Sequence, residues 1–266
     1  MSTIPELLYG AARVRIYSSR AELGAAAAED AARIIREAVS SRGRARIILA
    51  TGNSQLDMIG ALVKIPGVPW AAAEVFHMDE YVGMPDTHPS SFRLWIRTRV
   101  AEQVHPGVVQ YLAGDAADPE AEMERYSGLL NAAPIDLAFV GFGENGHIAF
   151  NDPHVADFND PKTVKRVLID ESSQRQQAGE GHFDRPESVP RDAFTITCPG
   201  LFRAGAWICC VPDLRKAKAV RGALEGPVST TCPSSLVRTH SNALVYLDAG
   251  SASLLTLGGH EKPDTV

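Results

Sequence analysis

Short apolar runs alternate along the chain with longer segments whose apolar residues recur at helical spacing. The short runs are Arg46–Ala50, Ala73–Met78, Ile135–Gly141, Thr163–Ile169, Asp192–Thr197, Ala206–Val211 and Ala243–Leu247. Their length and their polar or turn-forming borders predict buried strands. Ala21–Ser41 is alanine-rich with apolar residues at helical spacing, and Arg215–Gly226 ends in glycine, a usual helix stop. Strands this apolar, alternating with helices, predict a mainly parallel sheet covered on both faces: a three-layer, Rossmann-like α/β fold. No linker-like stretch divides the chain, which predicts one domain over residues 1–266.

Ligands of such sheets bind beyond the carboxyl ends of the strands. Three of the predicted ends are unusually polar. Arg46–Ala50 runs into TGNS, Ala73–Met78 into DEYVG, and Ile135–Gly141 into FGENGHIAFNDP. Three polar exits on one sheet edge predict a site there.

In the first exit Gly52 permits a sharp turn, and Thr51, Asn53 and Ser54 bring short polar groups to the start of a helix. Free backbone N–H groups at a helix start favour an anion such as phosphate. Taken alone, the loop reads more simply as a helix start capped by Ser54. The loop has neither the lysine of a P-loop nor the spacing of a dinucleotide fingerprint. Lys216 opens a helix that follows another strand, in reach of an anion at the same edge.

The second exit places Asp79 and Glu80 just past a strand, with Ser90 or Ser91 expected to cap the next helix. A partly desolvated carboxylate has a raised pKa and becomes a usable base. In the third exit Gly141, Gly143 and Gly146 frame Glu144, Asn145, His147, Asn151 and Asp152. Of these only the imidazole of His147 both gives and takes a proton near neutral pH. Beyond this exit, Asp157–Arg191, which includes the predicted strand Thr163–Ile169, is polar and rich in glycine, proline and acids. Its irregular parts read as a lid around residues 157–191, or as a solvated surface excursion.

Composition narrows the partners. Hydrophobic residues make up 45% of the chain and charged ones 22%, an ordinary globular balance. The net charge is −6 and the basic residues are scattered, which argues against nucleic acid. A few local donors still suffice for a small anion. Cys198, Cys209, Cys210 and Cys232 lack zinc-ligand spacing and read as free thiols in a reducing cytosol. The start MSTIPELLYG has no charged region followed by an apolar one, so no signal peptide is expected. No apolar run approaches the ~18 residues of a membrane span. The expected setting is the cytoplasm.

Taken together, MDEYVG, then HPSSF, then GFGENGHIAFNDP resemble the glucosamine-6-phosphate deaminase family, within the wider group of sugar-phosphate isomerases and 6-phosphogluconolactonases. The likeness extends from the ATGNS loop to ALVYLD. Tyr81 and IAFNDP place it on the deaminase side, since the lactonase branch usually carries an arginine after the acidic pair. The resemblance implies isomerisation of glucosamine 6-phosphate to fructose 6-phosphate with loss of ammonia, and no metal or organic cofactor. It implies that Asp79 is the base that moves a proton between C2 and C1, and that His147 opens the sugar ring. It also implies that Thr51, Gly52, Asn53 and Ser54 form the phosphate loop, completed by Lys216 and an arginine for which Arg175 is the available residue. The sequence departs from the family at four positions. Asn145 stands where an aspartate is usual, with the acid one position earlier as Glu144; Asp152 replaces a longer glutamate; and Asn53 and Gln55 replace a glycine and a proline. Either Asp152 alone orients the histidine, or Glu144 reaches in. The alternatives are a lactonase or another isomerase on the same scaffold, and a non-catalytic sugar-phosphate sensor. For the sensor, no helix-turn-helix-like extension is visible. A homo-oligomer is compatible with the sequence.

Overall fold

The computed structural model describes residues 5–256. The N-terminal reading therefore falls partly outside the described residues. From Glu6 the chain forms an antiparallel hairpin of β1 (Glu6–Tyr9) and β2 (Ala12–Tyr17). Helix α1 (Arg20–Arg42) follows, capped by the Ser19 hydroxyl and ended by Gly43 at a φ of 75°. Its buried face is Ala27, Ala28, Ala31, Ala32 and Ala38 around Leu23 and Ile35, small enough to seat the helix close to the sheet. Gly24 lets the neighbouring helix α2 (Leu56–Leu62) approach, because a Cβ there would meet the Asp57 backbone at 2.8 Å.

The remaining strands are β3 (Ala45–Leu49), β4 (Ala73–His77), β5 (Asp79–Tyr81), β6 (Val108–Gln110), β7 (Leu137–Val140), β8 (Val164–Leu168), β9 (Asp192–Ile196), β10 (Trp207–Val211) and β11 (Ala243–Asp248). Eight strands form one sheet in the order β1-β2-β11-β10-β7-β3-β4-β6, parallel throughout except for the β1–β2 hairpin. Every residue of β3, β7, β10 and β11 is buried, so both faces of this sheet are covered, as the continuous apolar runs predict. The remaining helices are α3 (Phe92–Ile96), which continues through a wider turn into α4 (Glu102–Val104), then α5 (Pro119–Asn131), α6 (Glu171–Gly179), α7 (Cys198–Phe202) and α8 (Ala217–Glu225).

Two of the expected strands do not join the parallel sheet. β8 and β9 pair antiparallel with each other, and β9 pairs with β5. This three-stranded sheet has its own apolar cluster, which includes Tyr81, Phe92, Phe150, Val167 and Ala193. Asp79 and Glu80, expected just past a strand, thus open a strand of their own, and residues 157–191 contain α6 besides the expected strand β8.

The chain moves outward from β3 to β4 on one side and from β7 through β10 to β11 on the other. The carboxyl ends of β3 and β7 therefore flank the point where strand order reverses, which is where ligands of open α/β sheets bind. No helix among the described residues is long and apolar enough to cross a membrane.

Candidate active site

One pocket opens at this reversal point. It is lined by Thr51, Gly52 and Ser54 from the β3 exit, Asp79 from the β4 exit, and Gly141, Gly143 and His147 from the β7 exit. Lys216 reaches it from the β10 exit, and Gln176, Gln177 and Glu180 come from α6 and the residue beyond it. Four strand ends and one helix thus converge on a single cavity.

Asp79 is almost fully buried, and its Oδ1 has no hydrogen-bond partner among the described residues. Burial, and secondarily the charge of Glu80, raise its carboxyl well above the usual aspartate range. The backbone beneath it is fixed. The buried ring of His77 accepts at Nε2 from the Leu112 N–H (3.0 Å), so its Nδ1 carries the hydrogen donated to the Asp79 carbonyl (2.9 Å). Burial pushes the His77 pKa down to about 4, so this ring is a neutral strut.

Glu80, the other half of the acidic pair, turns away from the pocket. Its carboxylate accepts from the Ser91 hydroxyl (2.7 Å) and from the backbone N–H groups of Tyr81, Phe92 and Arg93 (3.0, 3.3 and 3.0 Å). Ser91 occupies the N-cap position of α3 but makes no capping bond with its side chain. A carboxylate from a distant strand satisfies the open helix end instead.

His147 packs flat on Gly143, where an added Cβ would lie 2.2–2.4 Å from three ring atoms. Its Nδ1 is 3.1 Å from Asp152 Oδ1 and 3.0 Å from Ser173 Oγ. The Ser173 hydroxyl donates to Asp152 Oδ1 at 2.5 Å, so toward the ring it can only accept. Nδ1 therefore carries hydrogen, and Nε2 is left for chemistry. Burial alone would raise the Asp152 carboxyl, but His147, Ser173 and Asn145 together hold it well below the ordinary range.

The expected partners of the histidine divide. Asn145 donates to Asp152 Oδ1 (2.9 Å), and its Oδ1 accepts the backbone N–H of His147 (3.0 Å). It orients the acid and the loop, and makes no bond to the ring. Glu144 is exposed, lies 3.8 Å from Arg215 and does not reach His147. Asp152 alone is the acid at the ring. Its Oδ2 accepts from the Asp170 N–H (3.1 Å). Asp152, His154 and Asp170 place possible metal-ligand atoms within 4.8 Å of one another. The two acids are committed elsewhere, Asp152 to this network and Asp170 to capping α6, which leaves little coordination to offer an ion.

At the other end of the pocket lie Thr51, Gly52 and Ser54, with Gly52 at a φ of 107° that favours glycine. Asn53 instead turns its amide to the Glu180 carbonyl (2.9 Å). The β10 exit turns at Asp213, a non-glycine residue at a φ of 91°, and delivers Lys216 inward, 4% exposed. Burial lowers the Lys216 pKa, and Glu180 3.6 Å away opposes that. Burial would raise Glu180 itself, but His182, Lys216 and Gln176 pull it down to about 2. Arg175 is exposed on α6, pairs with Glu171 and lies outside this pocket, so the arginine expected of the anion site is not Arg175. Ser173, Gln176, Gln177 and Glu180 carried no signal in the sequence.

The family described as glucosamine-6-phosphate isomerases/6-phosphogluconolactonase matches residues 18–246. A glucosamine-6-phosphate deaminase of Exiguobacterium sibiricum is 33% identical over 208 residues, covering 78% of this chain and 80% of that protein. One of Listeria innocua is 32% identical over 230 residues, covering 86% and 96%. Among solved structures, a monomeric glucosamine-6-phosphate deaminase aligns with a TM-score of 0.83 and 27% identity over 91% of this chain and 99% of its own. The 6-phosphogluconolactonase of Trypanosoma brucei shares the fold, with a TM-score of 0.74 at 18% identity over 91% and 98%.

Proposed function

The chain belongs to the glucosamine-6-phosphate isomerase/6-phosphogluconolactonase family, and we propose that it is the deaminase type: an enzyme that converts glucosamine 6-phosphate and water to fructose 6-phosphate and ammonia. The observation that carries this reading is the Asp79 carboxyl. It is buried, raised in pKa and unpartnered at one oxygen, in the same pocket as a histidine held by Asp152.

In this reading His147, with hydrogen on Nδ1, works through Nε2. It passes a proton to the ring oxygen as the anomeric hydroxyl gives one up, and the sugar opens to a 2-amino aldehyde. With the amino group entering as ammonium, the Asp79 carboxylate takes the C2 proton while the ammonium passes one to O1, giving a neutral enolamine; Asp79 then returns its proton at C1, leaving an iminium at C2. Water adds to C2, one of its protons passes to nitrogen and the other to solvent, the C–N bond breaks with its electrons going to nitrogen, and ammonia leaves a ketone. One carboxylate serves both carbons because C1 and C2 are neighbours. Its low affinity for charge makes it a stronger base than a solvated aspartate once ionised. Thr51, Gly52, Ser54 and Lys216 hold the phosphate, and that anchor keeps the open chain in register through the proton transfers. Good orientation contributes several kcal/mol, up to about 7–11 in the best cases. Helix α6, within the segment expected as a lid, covers the intermediate. The four cysteines are all free thiols, which fits a cytoplasmic enzyme.

Purified protein incubated with glucosamine 6-phosphate should release ammonia and fructose 6-phosphate in equal amounts. A parallel incubation with 6-phosphogluconolactone separates the family's two chemistries. Lactone hydrolysis without ammonia release overturns the deaminase reading.

A further inference from the structure

The anchor end of the pocket contains an acid that the proposed reaction does not use. Glu180, one residue past α6, lines the pocket beside Thr51, Gly52, Ser54 and Lys216. Its side chain is 8% exposed and that of Lys216 5%, with Oε1 3.6 Å from Nζ. The same oxygen accepts from Gln176 Nε2 at 2.9 Å, Oε2 lies 3.6 Å from His182 Nε2, and the Glu180 carbonyl accepts from Asn53. This carboxylate is held from several sides, unlike a loose surface acid. Lys216 is the one lysine or arginine that lines the pocket among the described residues, and it is already ion-paired with Glu180.

We propose that Glu180 is a specificity-determining residue that competes with the anionic end of the substrate for Lys216. The inference rests on the reading that the substrate is a sugar phosphate. A phosphate monoester brings about −1.5 to −2 charge and three acceptor oxygens, enough to outbid one carboxylate. It must still bind against a fixed like charge in a site too buried for full salt screening. The anchor therefore binds anions more weakly than its lysine would alone, and the penalty grows with their charge, so Glu180 narrows the preference of the site for dianions over monoanions.

Glu180→Gln keeps the shape and a bond to Gln176 while removing the charge. By calorimetry on the full chain, the variant should bind inorganic phosphate at least about tenfold more tightly than the parent, the scale of one nearby like charge. The KM for glucosamine 6-phosphate should fall more than kcat changes. Adding Lys216→Met should abolish the tightening, because the competition runs through that lysine. Glu180→Ala, which only trims a side chain at the pocket wall, decides the question if the glutamine variant melts early. A phosphate Kd that is unchanged or weaker in the folded variants overturns the proposal. Tighter phosphate binding with no ammonia release from parent or variant would sink the deaminase reading and leave the role of Glu180 standing. Turnover by the parent without tightening in the variants does the reverse.

Discussion

Asp152 Oδ1 lies 3.1 Å from His147 Nδ1, and the Ser173 hydroxyl spans the two. The acid sets which ring nitrogen carries hydrogen. Asp152→Asn would place an amide donor either at the Oδ1 position, against Nδ1 and the donors of Asn145 and Ser173, or at the Oδ2 position, against the Asp170 N–H. Loss of the correct tautomer costs up to about 10⁴ in kcat. The expected outcome is a kcat loss in that range with folding retained by circular dichroism. A loss under about threefold would show that Asn145 and Ser173 hold the ring without the acid.

Asp79 gives activity and stability opposite dependences on pH. Its folded pKa is raised by burial, so the native state keeps this proton to higher pH than the unfolded chain does. Stability from this group is fully present below the unfolded aspartate pKa and is lost as pH rises through the folded value. Base catalysis needs the ionised form, so kcat/KM rises over that same upper window. The acid limb of the rate profile is therefore expected well above the ordinary carboxylate range. Asp79→Asn should abolish turnover and remove this loss of stability, so that it melts above the parent at neutral pH. An acid limb near the ordinary aspartate pKa would contradict the assignment.

The readable parts of the molecule are those where one physical demand dominates. β3, β7, β10 and β11 are buried on both faces and stand out as apolar runs. Asp79 and His147 were legible because acids and glycines rarely leave such strands without a use. The hairpin β1–β2 was not legible, because ELLY and ARVRIY interleave charge with apolar residues at a partly exposed sheet margin. Local pattern also could not show that β8 and β9 belong to a second sheet, since strand period does not name a partner. α6 (ESSQRQQAG) was silent for a different reason. It buries Ser173, Gln176 and Gln177 against a polar pocket and the Tyr81 hydroxyl, so its inward face has no hydrophobic stripe. The arginine assigned by resemblance failed because residues in that helix are placed by its rotation, which an ungapped match does not fix.

Gly143 is the floor on which the His147 ring rests. An alanine Cβ at 2.2–2.4 Å from Cε1, Nδ1 and Nε2 cannot coexist with the observed ring position. The ring must swing away from Ser173 and Asp152. Gly143→Ala should lower kcat by about 100-fold or more, on the scale of a mispositioned catalytic group. Stability should fall by only about 1–3 kcal/mol, the cost of the broken hydrogen bonds. Thermal melting and steady-state kinetics on the same preparation check both numbers. Activity within twofold of the parent would mean that the ring does not act from this position.

Glu80 holds the floor under Asp79 from the other side. Its buried carboxylate is the acceptor for the Ser91 hydroxyl and three backbone N–H groups, and Arg93 Nε lies 3.5 Å away. Burial raises its pKa, and the bonds from Ser91, Arg93, Tyr81 and Phe92 oppose that rise. Glu80→Ala would leave the first turn of α3 and the Ser91 hydroxyl unsatisfied in a dry setting, with Asp115 as the remaining acidic partner of the Arg93 guanidinium. Breaking a buried pair of this kind costs about 3–5 kcal/mol. At roughly 2–4 °C per kcal/mol for a domain of this size, melting should fall by about 6–20 °C. Ser91→Ala removes one donor and leaves the carboxylate and its backbone bonds, so it should cost only about 1 kcal/mol. That ranking separates a helix capped by the distant acid from one capped by its own serine: equal losses, or a larger loss at Ser91, would show that the serine caps α3 after all.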